Sequence, residues 1–178
     1  MMTLDALAAL SSQFDPFKQL YSVVLEPLGL GEIEYLCLDA SATAYAGLSF
    51  VYAGQKYLFR QVKITPTKLG GFVTLWTRDQ PNLAIRPFNE QDGIDGVIIA
   101  NANQTDTGYF FFDRATLVQH QVFTQNGIEG KRALRLYEPW LSLTAKQAIH
   151  SQKWQSEHFI ALSETNGLNK AQSFFTCR

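Results

Sequence analysis

Between Thr43 and Tyr137 the chain breaks into short strand-like runs separated by turn residues, with no stretch among them that reads as a crossover helix. Thr43–Tyr52 is rich in small and aromatic residues, and Ala53-Gly54 supplies a turn. Gln55–Thr65 alternates, with Tyr57, Phe59, Gln61 and Lys63 on one side and Leu58, Arg60, Val62 and Ile64 on the other. Pro66 closes that run, and Gly70-Gly71 permits a turn into Phe72–Thr77. Val97–Ala100, Tyr109–Phe112 and Ala133–Tyr137 follow, with a polar loop over 101–108. Strands joined by turns rather than helices cannot build an all-parallel sheet, because parallel neighbours need a long crossover. The expectation is an α+β fold, with a mostly antiparallel or mixed sheet of five or more strands flanked by N-terminal and C-terminal helices.

The flanks supply those helices. Leu4, Leu7, Ala8 and Leu10 keep a helical period, and Phe17, Leu20, Tyr21, Val24 and Leu25 form an i, i+3, i+4, i+7, i+8 stripe. Asp15-Pro16 reads as an N-cap followed by proline at the first helical position, and Pro27 with Gly29 ends the segment. Residues 144–164 read as the last helix, with Thr144 and Gln147 as a capping box and Gly167 as the C-cap. With 178 residues, 46% hydrophobic and thirteen Phe, the chain suits a single domain, 1–178, with a well-filled core. No apolar run approaches the ~18 residues of a membrane span. The apolar N-terminus lacks the basic region of a signal peptide, and Cys37 and Cys177 have no metal-ligand spacing. A cytoplasmic location without membrane attachment is the expectation.

The net charge of −1 conceals alternating blocks. Residues 1–55 carry −5, 56–86 carry +5, 87–130 carry −5 and 131–178 carry +4. Either the blocks neutralise one another in space, or the two basic ones converge on a face that attracts phosphates or an acidic partner. Arg60, Lys63, Lys68 and Arg78 lie within two strands and their hairpin, and Lys131-Arg132 with Arg135 border the last strand. The expected ligand-binding set is Arg60, Lys63, Lys68, Arg78 and Arg135, for an anion or nucleic acid. Arg60, Lys63 and Arg135 should line one partly enclosed pocket, with Lys68 and Arg78 nearer its rim. Gln61, Asp92, Asp95 and Trp140 are supporting candidates. Arg135 could instead pair with Asp92 or Asp95.

No catalytic residue, metal ligand or cofactor is expected. Asp92 and Asp95 sit beside Gly93 and Gly96, which suits a turn with side-chain hydrogen bonds better than a metal loop. His150 and His158 are two helical turns apart, too far to chelate one ion, and His120 has no partner of ligand spacing. Trp76, Trp140 and Trp154 could stack on a base, although core packing is the commoner role. No nucleophile elbow, phosphate loop or dinucleotide fingerprint is present.

The stretch from Phe59 to Arg78 resembles the motif of the MepB family, Arg-x-x-Lys-x-Thr-Pro-x-Lys-x-Gly-x-Phe-Val leading into Trp. Here the matching residues are Arg60, Lys63, Thr65, Pro66, Lys68, Gly70, Phe72, Val73 and Trp76. Pro87-Phe88, Asp92 and Asp95, Gly108–Phe112, Gly130–Trp140, and Gln147-Ala148 with Gln152–Gln155 continue the resemblance in order, over roughly 32–160. Thr77 stands where a basic residue is usual, Asp113 where proline is, and Arg114 where lysine is. The resemblance implies a domain and no particular activity. A weaker similarity, of layout only, is to PD-(D/E)xK nucleases, through Gln61-x-Lys63. Those enzymes need a carboxylate on the preceding strand to hold Mg²⁺, and 44–52 contains no Asp or Glu. A binder of anionic ligands is therefore preferred over a nuclease with a rebuilt metal site or a protein-interaction accessory.

Overall fold

The computed structural model describes residues 7–101 and 107–176. Cys177, Leu4 and most of the expected polar loop lie outside them. After helical residues at 7–8, the N-terminal segment runs through a 3-10 turn at Ser12–Phe14 and the helix α1 (Asp15–Leu20), in which Phe14, not Asp15, takes the N-cap position. A π turn at Tyr21–Leu25 follows, closed by the Glu26 N–H donating to the Tyr21 carbonyl, five residues back. Pro27 has no N–H to continue the ladder. The helix ends at Gly29, whose φ of 62° places it in the left-handed region.

Among the described residues, eleven strands follow in three sheets: β1 (Glu34–Leu38), β2 (Leu48–Tyr52), β3 (Gln55–Gln61), β4 (Lys63–Thr65), β5 (Lys68–Thr74), β6 (Trp76–Thr77), β7 (Arg86–Pro87), β8 (Gly96–Ala100), β9 (Gly108–Asp113), β10 (Ala133–Leu136) and β11 (Phe159–Ala161). Helix α2 (Arg114–Gln119) lies between β9 and β10, α3 (Lys146–Ser156) precedes β11, and α4 (Gly167–Thr176) follows it. The main sheet has the order β1-β2-β3-β8-β9-β11, with β3 and β8 parallel and every other pair antiparallel. This is the mixed α+β sheet expected. The second sheet, β10-β5-β4, is antiparallel, and β6 pairs with β7.

Side-chain alternation along the central strands divides the interior in two. Tyr57, Phe59, Ile98, Tyr109 and Phe111 join α1, the π turn and α4 in one apolar cluster. Leu58, Val97, Ile99, Phe110 and Phe112 face the other way and pack with Val73, Leu134 and Leu136 of the second sheet and with Leu75 just after β5. Strands β8 and β9 are covered on both faces, which is why Val97–Ala100 and Tyr109–Phe112 are nearly continuous apolar runs.

One chain run serves both sheets. Residues 55–61 belong to the main sheet and 63–65 to the second, with Val62 between them donating its N–H to the Ala100 carbonyl. The turn joining β4 to β5 is made at Pro66-Thr67, not at Gly70-Gly71, and those glycines lie inside β5. Gly70 has a φ of 77° at an irregularity of the pairing, and a Cβ there would collide with the Leu136 carbonyl and the Tyr137 ring. Its role is close backbone approach to β10 rather than reversal of the chain.

The C-terminal third departs most from the sequence reading. The expected helix over 144–164 is α3, which ends at Ser156, and Phe159–Ala161 then pairs with β9. Ala145 is the N-cap of α3 and makes no side-chain cap, so Thr144 and Gln147 do not form a capping box. Gly167 opens α4 instead of closing α3. Strand β1 lies where the sequence reading assigned no element, and a 3-10 turn at Ala40–Tyr45 overlaps the start of the run read as strand from Thr43.

Helix α3 also seals the exposed edge of β10. Gln155, 1% exposed, donates its amide to the Arg135 carbonyl and accepts from the Tyr137 N–H, at 3.0 and 2.9 Å, replacing the strand that would otherwise lie there. Gln152 donates to the carbonyls of Glu138 and Leu141. Replacing Gln155 with Leu strands a buried donor and acceptor, at a cost of about 1–3 kcal/mol. Urea unfolding should show a lower midpoint for Gln155→Leu with an unchanged slope.

Candidate anion-binding face

The pairing of the second sheet places Lys63 opposite Phe72 and Arg135 opposite Phe72 from the other side, so the three form one row across β4, β5 and β10. The Arg135 guanidinium lies 5.6 Å from the Phe72 ring centre. Tyr45, carried by the 3-10 turn, packs against Phe72 at 6.3 Å, and the Lys63 ammonium lies 5.1 Å from the Tyr45 ring centre. The row alternates cations with half-buried rings, a geometry in which the π-face stabilises each charge without neutralising it. Arg135 is steadied by donating from Nη1 to Thr65 Oγ1 and to the carbonyls of Leu69 and Gly70. Among the described residues, no carboxylate lies within 4 Å of Lys63, Lys68 or Arg135. The two basic blocks of the sequence therefore meet on this sheet.

Arg60 stands apart from them. It lies on the opposite face of the 55–65 run from Lys63 and is 1% exposed. Its Nη2 donates to Asp39 Oδ2 at 2.5 Å, and its Nη1 donates to the carbonyls of Phe59, at 2.8 Å, and Leu48, at 3.4 Å. Burial lowers its pKa, and the Asp39 carboxylate acts against that. Asp39 also accepts from the Ser41 N–H and hydroxyl, so the pair fixes the start of the turn that carries Tyr45. The expectation that Arg60 lines a pocket with Lys63 and Arg135 is corrected: Arg60 shapes the face from beneath.

The remaining candidates separate in the same way. Arg78 lies 5.5 Å from the Trp76 ring centre and donates to the carbonyls of Pro81 and Leu83, within its own turn. Lys68 is exposed and borders a cleft of about 370 Å³ between β10 and α3. Gln61 is half-buried at the end of β3. Trp140, 43% exposed, sits edge-on to Phe159 at 5.3 Å. Asp92 and Asp95 do not pair with Arg135. Asp92 accepts from the Asn89 N–H and pairs with Arg86, whose hydrogen bonds hold the Asp92 carboxyl below its ordinary range. Asp95 accepts from the Lys56 N–H and pairs with Arg114. Among the described residues there is no group of three or more His, Cys, Asp or Glu placed to hold a metal ion, and no helix is long and apolar enough to cross a membrane.

Reading the sequence for charged residues missed the two glutamines of α3 and the part played by Tyr45. The available signal was the polar spacing Gln152-x-x-Gln155 on an otherwise weakly amphipathic helix, which places two amides on one side.

A helix layer, a six-stranded mixed sheet and a smaller antiparallel sheet with a cation–aromatic outer face define a compact α+β class of domain. The family model described as MepB-like matches residues 39–161, and the chain belongs to that family. A solved structure described as the crystal structure of MepB is similar to it at 29% identity with a TM-score of 0.73, covering 88% of this chain and 100% of that one. No curated protein matches the sequence.

Two histidines flank the β10–α3 region. His120 stacks on Trp154 at 4.1 Å, and His158 lies edge-on to Phe112 and 3.5 Å from Thr116 Oγ1. Burial lowers the pKa of both, so each is favoured neutral in the fold. A lowered folded pKa gives stability that is present above the unfolded value, about 6.5, and is lost as pH falls through the folded value. Thermal unfolding should show the melting temperature falling as pH drops below about 6.5, with a shallower fall in His158→Gln.

Proposed function

We propose that the domain binds nucleic acid through the outer face of the β4–β5–β10 sheet. The observation that supports this most directly is the row Lys63–Phe72–Arg135 with Tyr45, in which unneutralised cations alternate with accessible rings. Two neighbouring strand spacings set the cations roughly 10 Å apart. Phosphates satisfy such cations by charge-assisted hydrogen bonds, and the rings between them offer stacking surface to bases. Lys68 extends the positive surface along β5, and Arg60 supports it from inside through Asp39. A small inorganic anion would need only one of these cations and would leave the rings unused. The ligand class is compatible with a cytoplasmic location.

The chemistry proposed is binding, without cleavage. Gln61 occupies the position where a nuclease of similar layout carries a metal-binding carboxylate, and it has no ionised oxygen to offer.

If Lys63, Lys68 and Arg135 each neutralise one phosphate, raising salt from 50 to 200 mM should weaken binding roughly 20–40-fold. Fluorescence anisotropy with a labelled oligonucleotide should show Lys63→Ala and Arg135→Ala each about 5–10-fold weaker, with a salt slope smaller by about one. Equal binding by wild type and both variants, or none by wild type at low salt, would remove this reading.

A further inference from the structure

Directly paired residues across the main sheet form one row, Cys37–Ser49–Leu58–Val97–Phe112, which runs from β1 to β9 on the face that looks toward the second sheet. The row tapers. Leu58, Val97 and Phe112 are buried in the second apolar cluster, whereas Ser49 and Cys37 are small and leave their end of the sheet unfilled. The result is a cleft of about 450 Å³ at the β1–β2 end, within the roughly 300–1,000 Å³ usual for small-molecule sites. Leu58, Phe88 and Ile94 give it an apolar base, and Trp76 and Thr77 of β6 border it.

The charges around this cleft are already paired. Asp39 is bound by Arg60, and Asp92 is held by both terminal nitrogens of Arg86. The Asp92 carboxyl is kept below its ordinary range first by those hydrogen bonds and further by the Lys56 charge, so Lys56 is balanced in turn. What remains open is neutral. Among the described residues, no hydrogen bond within the chain takes up the Ser49 hydroxyl, the Thr77 hydroxyl or the Trp76 indole N–H. The Arg78 guanidinium lies 5.5 Å from the Trp76 ring centre and steadies that ring. An uncharged ligand suits such a cleft better than an ion, because an added charge would leave water for a region whose charges already offset one another. A flat ring with donors and acceptors on its edge uses both the apolar surface with the indole and the free hydroxyls, as a nucleobase does.

We propose that this cleft binds a nucleobase, presented either by a free nucleoside or by a strand lying on the outer face of the second sheet. The 3-10 turn Ala40–Tyr45 links the two places: Ala40 and Ser41 border the cleft, and Tyr45 touches Phe72 and Lys63. The cleft shares no side chain with the row Lys63–Phe72–Arg135, so the proposal goes beyond the nucleic-acid reading and is tested apart from it.

The test uses the full chain with adenosine, guanosine, cytidine and uridine, and with ribose as the control that lacks a base. Calorimetry should show at least one nucleoside binding and ribose not binding. The affinity should be the same at low and high salt, since no phosphate is neutralised. Trp76→Ala should weaken the nucleoside about tenfold. Ser49→Leu, which fills the floor of the cleft, should weaken it tenfold or more, while Lys63→Ala leaves it unchanged. Ser49 borders open space, so its melting temperature should match wild type and separate lost binding from lost fold. Cys37→Leu, at an exposed position in the same row, gives a second blocking variant. If Ser49→Leu also weakens binding of a labelled single-stranded oligonucleotide, the base comes from a strand. If it abolishes nucleoside binding and leaves the oligonucleotide unaffected, the free nucleoside is the source. No binding of any of the four nucleosides, or binding that both floor variants leave intact, overturns the proposal. Loss of oligonucleotide binding in Lys63→Ala with nucleoside binding intact supports the cleft as a site separate from the outer face.

Discussion

A buried arginine paired to a carboxylate from a distant segment governs how this domain presents its surface. Taking a guanidinium out of water costs several kcal/mol unless its hydrogen-bonding capacity is met. For Arg60 that requirement is met by Asp39 and by the carbonyls of Phe59 and Leu48, with Nε alone left without a partner. The packing around it is correspondingly tight. A Cβ on Gly47 would come within 3.1 Å of Arg60 Nη1 and 2.5 Å of the Ala42 Cβ. Segment 39–47 is therefore drawn down onto β3, and the 3-10 turn within it delivers Tyr45 to the outside of the second sheet, against Phe72 and Lys63.

The same constraint explains why two cations only three residues apart take opposite roles. The 55–65 run alternates faces, so Arg60 and Lys63 point oppositely. The run also changes sheets at Val62. Arg60 is thus caught between the layers, where a charge needs a partner. Lys63 emerges on a sheet with one face against the core and the other open. The second sheet can lie this close only because Gly70 and Gly71 allow β5 to pass Tyr137 and Val62 without side chains in the way. Along its other edge, Gln155 supplies the polar groups a further strand would have provided.

Much of this order was legible in the sequence, and the limits have physical causes. The alternation of Gln55–Thr65 and the apolar runs at 97–100 and 109–112 report burial directly, so the central strands could be read from local pattern. Strand β11 could not. Phe159-Ile160-Ala161 follows a helix without a glycine or proline to mark the change, and it becomes a strand because β9 offers an edge. The 3-10 turn was obscured similarly, since its small residues also suit a strand. At the candidate site, the charge blocks raised the meeting of Lys63 and Arg135 on one face as one of two alternatives, and the pairing of β4 and β10 with β5 brings those two together. The burial of Arg60 did not, because its partner lies 21 residues away on a segment with no charge pattern of its own. Strand parity did place Arg60 opposite Lys63, and the apolar neighbours Leu58 and Val62 on that side were the clue to an interior position.

The Arg60–Asp39 pair holds the turn that carries Tyr45, and hydrogen exchange on Asp39→Asn reports on that hold. This substitution keeps a hydrogen-bond acceptor while removing the charge. The amides of Ala42, Ala46 and Gly47 bond to the carbonyls of Asp39, Thr43 and Ala42 within that turn. These amides should lose protection and the Tyr45 ring resonances should move, while the amides of β8 and β9 stay protected. Unchanged exchange at Ala42, Ala46 and Gly47, with Tyr45 unmoved, would show that the pair does not hold the turn.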